Sequence, residues 1–230
     1  MDRIYTGFES LDKHLKIYKG DLVVIGGRPA IGKTCLMCSM IEKIIYKQKT
    51  VFFAMQTTKH RRVEKLNLLN TKENKNFYLY ENITDFEEWL ITIAEIKAKN
   101  NLDVVFICNF EDLLNCSNCS EKELILKIKN IALRFDVAII VTDDMVFEID
   151  RRHYFYRQLK HKEFIKYADK IITINRPDKM ATEEELKNGW IEKNVAEISI
   201  DKDMEDFFSP RINLKFDNNS LTFNEIPKAP

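Results

Sequence analysis

Gly26-Gly27-Arg28-Pro29-Ala30-Ile31-Gly32-Lys33-Thr34 is the stretch on which the reading of this chain turns. Within it Gly27, Gly32, Lys33 and Thr34 stand at the spacing G-x-x-x-x-G-K-T. An apolar run, Leu22-Val23-Val24-Ile25, precedes it, and a helical pattern from Cys35 to Tyr46 follows. Strand, glycine-rich loop and helix in that order make a phosphate cradle. The glycines let backbone N–H groups turn inward around a β-phosphate, and the helix adds the positive end of its dipole. On this reading Gly27, Arg28, Pro29, Ala30, Ile31, Gly32, Lys33, Thr34 and Cys35 line a nucleotide. Lys33 reaches its β/γ-phosphates, and the Thr34 hydroxyl holds Mg²⁺.

The rest of the composition sets limits around that loop. The chain has 230 residues, 45% hydrophobic and 31% charged, enough for one large α/β domain. Its 36 basic and 36 acidic residues cancel, so any nucleic-acid site must be a local patch rather than a global field. The apolar runs are strand-sized, which predicts no membrane span. Asp2, Glu9 and Asp12 interrupt the opening, so no secretory signal is read there and a cytoplasmic location is expected. Four of the five cysteines form two C-x-x-C pairs, Cys35/Cys38 and Cys116/Cys119. A zinc site or a redox pair is one reading of them. The first pair lies on the helix leaving the loop, so ordinary packed thiols are preferred.

Alternating elements follow. Residues 51–55 and 104–108 read as buried strands, 77–80 as a short strand and 137–142 as a strand without polar interruption, separated by helical patterns from Thr58, from Thr84 and from Ser120 to Phe135. Fully apolar strands between amphipathic helices predict a parallel sheet covered on both faces. A further helix near Leu159–Tyr167 leads to a strand at 170–174, and 176–194 reads as an exposed loop with a helical turn. Residues 195–200, 211–216 and 220–224 read as antiparallel edge strands.

The opening Thr6-Gly7-Phe8, Leu11-Asp12, the Gly20-Asp21 before the strand, and the loop itself together resemble the ATPase domain of DnaB-type replicative helicases. Arg28-Pro29 inside the loop is the detail that separates this family from other RecA-like ATPases. The likeness continues through Gln56, Ile107-Cys108-Asn109, Tyr167-Ala168-Asp169 and Ala196-Glu197-Ile198-Ser199-Ile200-Asp201-Lys202. It implies an α/β fold, a RecA-like P-loop NTPase with a mostly parallel β-sheet flanked by helices and antiparallel C-terminal edge strands. It also implies a single nucleotide-binding domain over residues 1–230, read as lacking the family's N-terminal domain and linker helix. ATP and Mg²⁺ are the ligands implied, with single-stranded DNA and a second copy or a helicase as partners.

Transferred residue by residue, the resemblance is uneven. Lys33 and Thr34 carry over. The family's water-activating glutamate falls on Gln56, its metal-shell aspartate on Asn109 (or Cys108, if the register slips by one), and its glutamine sensor on Asp143. Its C-terminal lysine matches Lys202, and the arginine that reaches a neighbour's γ-phosphate is replaced by Met204, which argues against a working ring interface. A glutamine cannot take a proton from water, which forfeits a general-base effect of about 10²–10⁴-fold. A missing trans-acting arginine costs on the order of 10³–10⁵-fold. Binding with little turnover is therefore the leading expectation. A working ATPase using Glu111, Asp112, Asp143 or Asp144 instead is the second, and a non-catalytic interaction module is the third.

For DNA, the loop Asn115 to Ser120 is short and uncharged. Arg151, Arg152, Tyr154, Tyr156, Arg157 and Lys160 interleave cations with rings, a pattern suited to phosphates and stacked bases. Asp143, Asp144, Glu148 and Asp150 stand just upstream and offset that charge. The cluster Lys59-His60-Arg61-Arg62 with Lys65 reads as the solvated face of its helix.

Overall fold

A computed structural model describes residues 2–54, 75–81, 85–146, 158–203 and 211–227. A two-residue pair, β1 (Arg3–Ile4) with β2 (Ile17–Tyr18), brackets the helical turn α1 (Glu9–Asp12). Next come β3 (Leu22–Gly27), α2 (Lys33–Ile44), β4 (Thr50–Ala54), β5 (Phe77–Glu81) and α3 (Phe86–Asn100). They are followed by β6 (Val104–Cys108), α4 (Phe110–Asn115), α5 (Glu121–Phe135), β7 (Ala138–Asp144) and α6 (Glu163–Tyr167). The chain closes with β8 (Lys170–Asn175), a 3-10 turn (Pro177–Lys179), α7 (Glu183–Lys187), β9 (Val195–Asp203), β10 (Arg211–Asp217) and β11 (Thr222–Glu225).

Among the described residues nine strands form one sheet in the order β11-β10-β9-β8-β3-β7-β6-β4-β5. The six from β8 to β5 run parallel, and β9, β10 and β11 add antiparallel pairs at one side. Every residue of β3, β4, β6 and β8 is buried, as strands covered on both faces must be. The core is split by the sheet. Val23, Ile25, Phe106, Cys108 and Ile140 pack with the apolar side of α2. Val24, Val105, Ile107, Ile139 and Val141 pack with α3, α4, α5 and α6 on the other face.

Local signals explain most helix ends. Asp85 and Ser120 cap α3 and α5 by accepting from the backbone N–H of Glu87 and Glu123. One element is not read in the sequence and one expectation changes. Phe110–Asn115 is helical, a six-residue element too short to declare a period. The expected helix near Leu159–Tyr167 begins only at Glu163, because Leu159 bridges Met145 and the backbone N–H of Lys160 bonds the Asp144 carbonyl at 2.7 Å. The helical pattern at 58–70 falls outside the described residues. So does Thr84, and the helix expected from there is described from Phe86 onward.

Candidate nucleotide site

The loop leaves β3 at the middle of the sheet, where β7 and β8 flank it on either side. Gly27 pairs with Asp144 on β7 and Ile174 on β8. A Cβ on Gly27 would lie 2.8 Å from Ile174 Cγ2 and 3.1 Å from its carbonyl oxygen, so no side chain fits. The chain then turns through Ala30 (φ 60°) and Gly32 (φ 118°), and α2 starts at Lys33 with no side-chain cap on its N-terminus. Its first N–H groups thus point outward with the dipole behind them. This is a shape and a charge that fit phosphate.

Lys33 is 9% exposed. Its ammonium donates to the Gly27 and Arg28 carbonyls at 3.0 and 2.9 Å and to Asp144 Oδ1 at 2.6 Å. Thr34 Oγ1 lies 3.2 Å from Cys108 Sγ, the last residue of β6. Beside the loop, Ala30, Lys33, Thr34, Arg176, Lys179 and Phe216 line a cleft of about 420 Å³. There the Arg176 guanidinium lies 4.2 Å from the centre of the Phe216 ring and bonds Asp178 at 3.1 Å. This cleft opens beside the loop, on the side of Arg176 and Phe216. For Mg²⁺ the fit is partial: the hydroxyl is in place, and a thiol stands beside it where a carboxylate would suit the ion.

Next to the loop, on the opposite face of β7, lies a buried polar relay. Asp143, 2% exposed, takes His161 Nδ1 at 2.6 Å, and His161 Nε2 faces Glu111 Oε2 at 3.0 Å. Glu111 also pairs with Lys160 at 2.7 Å. Rings close the space, with Phe110 standing edge-on to His161 at 4.7 Å. Burial pulls the His161 imidazole down, but the Asp143 hydrogen bond and the charges of Asp143, Glu121 and Glu111 outweigh it and hold the ring above its usual value. Burial also keeps the Asp143 carboxyl above the usual carboxylate range, against the lowering effect of His161.

The DnaB-like helicase C terminal domain model matches residues 3–145, more than half of the chain. The chain belongs to that family. One curated relative, a probable replicative DNA helicase from Guillardia theta, is 29% identical over 104 residues, covering 44% of this chain and 17% of the relative. The chain therefore spans under a fifth of that relative's length. Among solved structures, an ATPase domain superposes with a TM-score of 0.78 at 17% identity, covering 97% of this chain and 91% of that one. A DnaB-like replicative helicase, studied for its interactions with primase, gives 0.77 at 16%, with 97% and 62% covered. At those identities the likeness carries the fold, which is that of DnaB-like ATPase domains.

With the DnaB-like fold in place, the positions expected to replace family residues can be located. Cys108, not Asn109, meets Thr34. Asn109 points elsewhere and caps α4 by accepting from the Asp112 N–H at 2.9 Å. Asp143 turns away from the loop, and the next residue, Asp144, faces Lys33. Strand alternation is the reason: Ile139 and Val141 share one face with Asp143, and Ala138 and Ile140 share the other with Asp144. Lys202 does not line this chain's loop. It pairs with Ile171 near the start of β8, whereas the loop sits level with Ile174, about 10 Å farther along the strand. Its ammonium instead donates to the Ile165 carbonyl at 3.0 Å and to those of Lys166 and Ala168, closing the C-terminal end of α6.

Gln56, Met204, Arg151, Arg152, Tyr154, Tyr156, Arg157 and the Lys59–Lys65 cluster lie outside the described residues. Of the basic–aromatic group Lys160 is described, and its charge is engaged by Glu111. The five thiols are free of disulfides, and among the described residues no group of three or more His, Cys, Asp or Glu could hold a metal. Among them also, no helix is long and apolar enough to cross a membrane.

Proposed function

We propose that this DnaB-like domain binds ATP with a divalent cation through Gly27–Thr34 and turns it over weakly or not at all. One observation carries the reading: the thiol of Cys108 stands 3.2 Å from the Thr34 hydroxyl. The loop keeps the parts that grip phosphate, while the group beside the cation lacks the negative charge that would hold and polarise it. When bound, the cation would neutralise charge between the phosphates. Lys33 would turn to the β/γ-phosphates, the N–H groups of α2's first turn would meet the β-phosphate, and the cleft beside Arg176 and Phe216 would take the nucleoside.

Thermal unfolding with ATP and Mg²⁺ tests the binding claim. At about 100 times its Kd the ligand adds about 2.7 kcal/mol, which for a chain of this size moves Tm by about 5–10 °C. Lys33→Ala abolishes the shift. Radiolabelled ATP turnover, with and without single-stranded DNA, tests the second claim. DNA-stimulated hydrolysis that disappears in Lys33→Ala would refute it.

A second reading has its own support. Asp144 stands at the loop, 2.6 Å from Lys33, and is placed to serve as a substitute carboxylate for an active ATPase. The sequence of residues 151–160 supports a contact with single-stranded DNA through phosphates and stacked bases. Met204 in place of the family's arginine supports a chain that does not complete a neighbour's site. The continuous sheet from β5 to β11 supports reading 1–230 as one domain.

A further inference from the structure

We propose that Cys116 and Cys119 form a redox-active dithiol, in which Cys119 attacks a small-molecule disulfide and Cys116 resolves the product. Of the two C-x-x-C pairs this one reaches the surface: Cys35 and Cys38 are buried, whereas Cys116 and Cys119 are half-buried, and all four are free thiols. The pair sits where α4 gives way to α5. Cys116 is the C-cap of α4, and Cys119 stands one residue before Ser120, the N-cap of α5. The chain bends at Ser117, Asn118 and Cys119, which curls these residues rather than extending them. Cysteines at this spacing in such a curl come within reach of a disulfide.

The two thiols have different surroundings, and the difference sets the order of attack. Lys127 donates to Cys119 Sγ at 3.1 Å. The same ammonium pairs with Glu123 at 3.0 Å and lies 5.9 Å from the centre of the Phe86 ring. A cation against sulfur favours the thiolate, which is the form that attacks, while Glu123 draws on the same lysine and opposes it. Cys116 sits among acids instead: burial first, then Asp112 and Asp85, push its thiol up. With glutathione disulfide as the oxidant, the Cys119 thiolate attacks one of its sulfurs. The S–S bond breaks, and a glutathione thiolate leaves and takes up a proton. Cys116 then gives its proton to solvent and attacks Cys119 Sγ, expelling the second glutathione thiolate. The protein dithiol is oxidised to a disulfide, and the glutathione disulfide is reduced to its thiols.

The test incubates the full chain with glutathione disulfide, quenches with acid at intervals and assigns every thiol by peptide mass spectrometry. Cys35, Cys38 and Cys108 are buried and serve as unreactive references. Wild type should end in a Cys116–Cys119 disulfide that dithiothreitol reverses. Cys116→Ser should stop at a mixed disulfide between Cys119 and glutathione, and Cys119→Ser should react far more slowly at Cys116. Lys127 and Glu123 are exposed, so their variants leave the fold intact. Lys127→Met should slow the first attack about 1.4- to 5-fold, the change in thiolate that an exposed ion pair supports, and should move its pH profile upward. Glu123→Gln should speed it. A mixed disulfide that persists on Cys119 in wild type, or a Cys116 that reacts as fast as Cys119, overturns the proposal. So does a Cys119 rate that neither change of charge moves.

Discussion

Asp144→Asn separates the two readings of the site by the sign of its effect. In the structure Asp144 holds the lysine proposed to meet the phosphates: Lys33 Nζ lies 2.6 Å from Oδ1, with the lysine side chain 10% and the aspartate 45% exposed. Water screens the aspartate side, so the pair is worth about 0.2–1 kcal/mol. If Asp144 is only a placeholder, bound phosphate must displace it, and deleting its charge returns that amount to binding. The Kd for Mg-ATP should then fall by about 1.4- to 5-fold. The gain should shrink as salt is added, because the competing pair is itself screened. Calorimetric titration at two ionic strengths reads both effects. A Kd that rises tenfold or more, with any measurable turnover lost at the same time, would refute this reasoning and make Asp144 the working carboxylate.

Other expectations concern the scaffold. Against the lowering effect of burial, Asp143, Glu121 and Glu111 favour the charged form of His161, and its folded value lies above the unfolded one near 6.5. Its contribution is therefore fully present below that value and is lost as pH rises through the folded one. The urea midpoint should decline from pH 6 towards alkaline pH, and His161→Gln should flatten the decline. Removing the ring altogether, in His161→Ala, leaves the Asp143 carboxylate buried without that partner and should cost about 3 kcal/mol by urea unfolding. Gly32→Ala forces a side chain into φ 118° with the Phe223 ring 3.2 Å from the new Cβ. It should cost about 1–3 kcal/mol and abolish the ATP-induced rise in Tm. Lys202→Met unties the end of α6 and should lower stability by about 1 kcal/mol, while leaving the affinity for ATP as it was. A large loss of ATP affinity there would restore Lys202 to the nucleotide.

Much of this was legible in the chain, for identifiable reasons. The loop declared itself because its glycines meet a demand of backbone geometry and packing, with a lysine and a threonine at the spacing that suits phosphate and a cation. The parallel sheet declared itself because strands buried on both faces must be apolar throughout. The same uniformity hid what came next. In Val104–Cys108 all five residues are apolar, so nothing in the pattern says which of Cys108 and Asn109 faces α2. In β7 the parity of Asp143 and Asp144 could be counted from Ala138 onward, yet only the two core clusters tell which parity belongs to the loop. Lys202 was beyond such counting, since the pairing of β8 with β9 slips between Ile171 and Ile172 and resets which side chain meets which face. The His161 clamp left no sequence trace either, being a contact between residues 18 positions apart on elements whose joining only the fold decides.

The loop glycines are wedged from both sides of the sheet. A Cβ on Gly26 would lie 2.7 Å from Leu159 Cδ2 on one face, and one on Gly27 would meet Ile174 and Ile31 on the other. Packing alone therefore opposes a larger residue at Gly27, where the Ile174 carbonyl also stands in the way, and at Gly26 asks the Leu159 side chain to give way. A lineage released from nucleotide altogether would go on inheriting both glycines as a matter of fit. Lys33 and Thr34 answer to no such constraint: an ammonium resting on two carbonyls and a carboxylate, and a hydroxyl against a thiol, have many structural equivalents. On the proposed reading it is those two side chains, rather than the glycines around them, that speak for a ligand.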